Sequence, residues 1–166
     1  MPMRRLCLIL LCGLVAVPAA LAAATATGDG VLELSKVDGT AAINGSRGIL
    51  WGQMDKGRLV VTDPIVGDGQ VLVSGWENRK PGVIDGTTVY SGIDLRFRVT
   101  GGKYRLVIKG DGIDLTAVGV GTAQLSGDVL AVDPGSYTVD SGKSIDVPFF
   151  PVSRLVPFGV QPTATP

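Results

Sequence analysis

Histidine is absent from the 166 residues, and the only two cysteines, Cys7 and Cys12, lie in the first twelve. Without an imidazole the chain lacks the commonest near-neutral general base and zinc ligand, and a Ser-His-Asp arrangement has no material. No Ser-x-x-Lys string stands in for it, since Ser141-Gly142-Lys143 has the wrong spacing. Glutamate is nearly as scarce, with Glu33 and Glu77 the only two. Paired carboxylates for sugar hydrolysis would have to be aspartates. Most of these stand beside glycine, proline or strand-like apolar residues, where a turn or a solvated face accounts for them. Long amphipathic helices are missing as well: after Ala24 no window keeps a 3.6-residue apolar period for three turns without a glycine inside it. The expectation is a protein that is not an enzyme, with no catalytic residue, no metal ligand set and no cofactor.

What is present begins with an export pattern. Basic Arg4 and Arg5 precede an apolar run from Leu6 to Val17 and a small-residue exit from Pro18 to Ala24, the three parts of a secretory signal in order. Cleavage is expected after Ala22, giving a signal peptide over 1–22. The run to Ala24 approaches the roughly 17 to 20 residues of a minimal spanning helix, so a retained anchor is the alternative. Pro18 and the alanines favour cleavage. Leu11 before Cys12 is too large for a lipoprotein signal. A cleaved chain has no thiol, and loss of Arg4 and Arg5 leaves 13 basic against 15 acidic side chains. That balance gives no general attraction to nucleic acid; a polyanion site has to be a local patch. The expected location is secreted or cell-envelope-associated, with no membrane span after cleavage.

Glycine dominates the remainder. All but Gly13 of the 24 glycines follow the signal, between segments rich in Val, Ile, Leu and Thr, as turns between strands require. The chain reads as all-β: an antiparallel β-sandwich or partly closed barrel of short strands, one domain over 23–160, with a flexible C-terminal end at 161–166. Twelve candidate strands run from Val31-Lys36 to Ser144-Val147, including Asp128-Val132 and Ser136-Val139. One hairpin is specific. A two-residue turn at Gly101-Gly102 sets Val99 opposite Tyr104, Phe97 opposite Leu106 and Leu95 opposite Ile108, with all six side chains on one face and Arg98 opposite Arg105 on the other. Gly-Asp-Gly at Gly28, Gly67 and Gly110 hints at a loose modular repeat with spacings of 39 and 43 residues; recurrence of turn residues in a glycine-rich chain is the plainer account.

The stretch Gly48-Ile49-Leu50-Trp51-Gly52, then Gly57-Arg58-Leu59, and the block from Tyr104-Arg105 through Gly110-Asp111-Gly112-Ile113-Asp114-Leu115 to Val118-Gly119-Val120-Gly121 resemble a family of uncharacterised exported glycine-rich all-β proteins from high-GC Gram-positive bacteria. The resemblance covers most of residues 45–140. It implies secretion or an envelope location, and no catalytic role.

Three features bear on binding. Gly110-x-Gly112-x-Asp114 is half of a β-roll calcium motif that needs stacked repeats; a glycine bend entering a strand is the simpler reading. Trp51 and Trp76 offer sugar-stacking planes if exposed, or core residues if buried. Arg96, Arg98 and Arg105, with Lys103 and Lys109, form a basic hairpin face that suits an anionic polymer, or is simply a solvated face. The expected function is a noncatalytic envelope or extracellular module. The alternative is binding of a cell-wall glycan or anionic envelope polymer through Trp51, Trp76, Arg96, Arg98 and Arg105.

Overall fold

The computed structural model describes residues 28–63, 65 and 67–159; the expected signal at 1–22 and the C-terminal end at 161–166 lie outside them. Among the described residues there is no helix. The strands are β1 (Gly30–Thr62), β2 (Gly69–Pro81), β3 (Thr87–Gly101), β4 (Tyr104–Gly127), β5 (Ser136–Val139), β6 (Ile145–Asp146) and β7 (Arg154–Phe158). They pair antiparallel in the order β2-β3-β1-β4-β7, with β5 on β1 and β6 on β5, and the sheet does not close into a barrel. The all-β antiparallel class is as the sequence implies. The strands are not all short: β1 has 33 residues and β4 has 24, each absorbing three candidate strands.

Their length is explained by a double pairing. Ile108 pairs with both Ala41 and Leu59, and Ala117 with both Leu32 and Leu50, so the two flanks of β4 are 18 residues apart along β1. Gly45 pairs with Tyr104, whereas Gly48 pairs with Gly119. A straight strand would hold Tyr104 and Gly119 about 50 Å apart, but three residues of β1 and two strand spacings reach only about 20 Å. Both strands therefore fold over. The sheet becomes a sandwich-like pair of layers joined at corners where long strands cross from one layer to the other. The first layer contains 30–37, 48–54, 95–100, 113–118 and β5. The second contains 39–45, 57–62, 87–92, 104–110, 121–127 and β7.

Glycine marks the corners at a spacing of nine residues: Gly30, Gly39, Gly48 and Gly57, then Gly92, Gly101, Gly110 and Gly119. Corner glycines of neighbouring strands meet, as Gly48 does Gly119 and Gly57 does Gly110. A Cβ on Gly48 would sit 2.1 Å from the Val118 carbonyl oxygen, at a φ of +127° that L side chains rarely adopt, so no other residue fits. Nine is odd, so the inward parity flips at each corner: Leu32 and Leu34, Ala41 and Ile43, Leu50, then Leu59 and Val61 are all buried. This repeat, rather than the 39- and 43-residue spacings of Gly-Asp-Gly, organises the chain. At three inward glycines an aromatic ring from the paired residue covers the position: Phe97 on Gly52, Tyr104 on Gly45 and Phe158 on Gly121. Rings laid over paired glycines fill the volume that those positions leave open.

The hairpin expected at Gly101-Gly102 does not form. β3 pairs with β1 and β2, and β4 with β1 and β7; Phe97 lies beside Gly52 and Val73, and Leu106 beside Ile43 and Val61. The two glycines, at φ of +73° and +68°, make a corner. The Lys103 N–H donates to the Asp68 carboxylate at 3.0 Å instead of joining a β3–β4 ladder. All six expected apolar side chains are buried, facing one another across the sandwich. Alternation sets which side chains point inward; it does not distinguish strands side by side from strands in opposite layers.

The ends differ in smaller ways. Asp128-Val132 is a turn, held by the Leu130 N–H donating to Asp128 at 2.9 Å. β5 occupies Ser136–Val139 as expected, and Ser144-Val147 shrinks to the two-residue β6. β7 arises inside the proline-rich segment; Pro157 is tolerated because, among the described residues, β7 is an edge strand that pairs with β4 alone.

Candidate functional site

The five candidate residues fall on different parts of the sandwich. On the outer face of the first layer, one row across the strands reads Leu72, Arg98, Trp51, Thr116, and the next reads Ser74, Arg96, Gln53, Asp114. Directly opposed side chains in such rows have Cβ atoms about 5 Å apart. Trp51 is 43% exposed. It borders a shallow cleft of about 300 Å³ with Arg96, Gln53, Asp114 and Thr116. The Asp114 carboxylate accepts from the Lys36 N–H at 2.9 Å and from Gln53 Nε2 at 3.4 Å, which fixes the polar floor. Among the described residues the only ion pair joins Arg47 to Asp29 at 2.8 Å, leaving Arg96 and Arg98 without a carboxylate within salt-bridge reach.

Trp76 is equally exposed, at 45%, but stands past the Gly75 bulge of β2, opposite Gly92, and takes no part in the Trp51 cleft. Arg105 is on the outside of the second layer. Its row reads Thr62, Arg105, Asn44, Thr122, and it borders a groove with Arg58, Val60, Lys80 and Val107. The structure thus brings Trp51, Arg96 and Arg98 together and separates them from Arg105. Gln53 and Asp114 complete the site through the β1–β4 register. Gln53 shares outward parity with Trp51 along β1, a signal the sequence offers, whereas the sequence presents Asp114 only as half of a calcium motif.

The calcium half-motif is spent on backbone. Asp114 accepts from Lys36 as above, and the Gly112 N–H donates to Asp38 at 2.7 Å. Asp140 accepts from the Val31 N–H at 2.8 Å and Asp133 from the Gly135 N–H at 2.9 Å. Aspartates at corners and turns satisfy amides that a ladder does not reach. Among the described residues no group of three acidic, histidine or cysteine side chains is placed to hold a metal ion.

Comparison with protein-family models, with curated proteins and with solved structures found no match to this chain.

Proposed function

We propose that the protein is a noncatalytic module of the cell envelope or its exterior that holds an anionic glycan or envelope polymer on the Trp51 face. The supporting observation is the exposed Trp51 ring flanked by Arg98 in its own row, and by Arg96, Gln53 and Asp114 in the next. An indole plane buries the apolar face of a hexose. Two arginines without carboxylate partners, both on the β3 side of the ring, then take phosphate or carboxylate groups along that side, with bidentate geometry open to each. Gln53 and the anchored Asp114 offer a donor and acceptors to sugar hydroxyls. The basic and acidic halves of the site favour an anionic chain with neutral hydroxyls over a simple polyanion. The export pattern of residues 1–22 supports the location.

The test is retention by purified cell-wall fractions across a salt series. Trp51→Ala and the Arg96→Ser/Arg98→Ser double variant are expected to weaken binding at least ~10-fold, with the arginine-dependent part fading as salt shortens the Debye length. Arg105→Ser should bind as the parent does. Equal retention of all variants, or no retention at low salt, would refute the reading.

A further inference from the structure

We infer that the outside of the second layer is a docking face for an anionic lipid surface, independent of the Trp51 site. Two grooves lie on this face. One, of about 530 Å³, is bordered by Thr40, Ala42, Lys109, Val129, Phe150 and Pro151. The other, of about 430 Å³, is bordered by Arg58, Lys80, Val83, Ile84, Arg105 and Val107. Val107 pairs directly with Ala42, and Lys109 with Thr40, so the grooves share a floor and face the same way.

The walls are apolar and project. At one side the turn between β2 and β3 carries Val83, fully exposed, and Ile84. At the other, the exposed Val129 and Phe150 border the first groove, and exposed Leu155 pairs with Gln124 on its floor; Phe150 is tied to Gly127 and Ser126 to Val152 by hydrogen bonds of 2.9 Å. A monomer surface rarely concentrates so much exposed apolar area without a partner. Between the walls stand Arg58, Lys80, Arg105 and Lys109, none ion-paired among the described residues. The acids nearby are Asp128, whose carboxylate accepts from the Leu130 N–H, Asp63, which accepts from the Ile65 N–H, and Asp85 beside Ile84.

Charge complementarity decides the occupant. Two apolar prongs flanking a cationic floor match an interface whose headgroups are anionic and whose interior is apolar. A second copy of this face would set like charges against each other. A soluble polyanion would leave Val83 and Phe150 in water.

The experiment uses the full chain with Cys7→Ser and Cys12→Ser, carrying single cysteines labelled with an environment-sensitive fluorophore at Ile84→Cys, Phe150→Cys or, on the other face, Leu72→Cys. Vesicles of phosphatidylcholine with and without about a third phosphatidylglycerol are added. Labels at 84 and 150 should move to apolar emission only with the anionic vesicles, while the label at 72 stays in water. The apolar residues at the N-terminus, by themselves, would not produce that face selectivity. Arg105→Glu/Lys109→Glu should weaken the response roughly 10-fold or more, since each basic residue near an anionic surface contributes about fivefold. Water-like emission at 84 and 150, an equal response to both vesicle types, or a response to soluble poly(glycerol phosphate) in place of vesicles would overturn the inference. Because Trp51, Arg96 and Arg98 are intact throughout, its failure leaves the glycan reading standing.

Discussion

At the residue scale, the decisive side chains are those that meet a constraint no neighbour can relax. Tyr104 is the clearest. Its ring covers Gly45, its hydroxyl is buried without a hydrogen-bond partner among the described residues, and burial pushes its phenol up to about 12. An unfolded tyrosine ionises near pH 10. The stability that depends on the neutral phenol is therefore intact below pH 10 and falls as pH rises from 10 to 12, by roughly 3 kcal/mol in all. Tyr104→Phe should remove that part of the alkaline loss. At neutral pH it should leave stability within about 1 kcal/mol of the parent or slightly higher, because an unsatisfied buried hydroxyl contributes no hydrogen bond. Urea melts at pH 7 and 11 measure both. A large loss at pH 7 would mean that the hydroxyl is bonded after all.

The same scale explains what was legible at the candidate site. Trp51, Arg96 and Arg98 alternate with buried residues, so their outward direction can be read from the sequence. Their proximity cannot, because Trp51 meets Arg98 only through the β1–β3 register. Arg105 was grouped with them through a hairpin that does not form. Lys109, which that hairpin sets opposite Asp94, pairs instead with Arg58 across 51 positions of chain, a separation that no local pattern encodes.

Among the elements, the corner sets the architecture. Strand segments of about nine residues, each opening on glycine, let β1 and β4 cross between layers without a loop. The inward positions change parity at each crossing, which makes the period-2 signal look broken near Gly39, Gly48 and Gly110 and splits each long strand into several apparent short ones. The class and the inward side chains were therefore legible, while strand continuity and pairing were not. The nine-residue glycine spacing was the signal that carried them. Gly48→Ala should cost several kcal/mol, since its Cβ meets backbone that cannot move aside and its φ is positive. Gly67→Ala, at φ +89° with open space around it, should cost only the backbone strain, about 1 kcal/mol. Thermal melts of the pair test the corner: equal losses would show that glycine spacing has no structural role there.

Over the whole molecule, folding the sheet onto itself gives two outer surfaces of different chemistry from one set of strands. The first layer displays an indole beside two arginines; the second displays apolar prongs around four cations. Arg98 and Arg105 occupy opposite surfaces because residues 101–103 pass between layers. Both functional readings depend on that passage, and so on β1 flanking β4 on both sides. Interstrand backbone NOEs in an isotope-labelled sample measure it directly. Ile108 should show contacts to both Ala41 and Leu59, and Ala117 to both Leu32 and Leu50. Contacts pairing Phe97 with Leu106 and Val99 with Tyr104 in a continuous ladder would contradict the account.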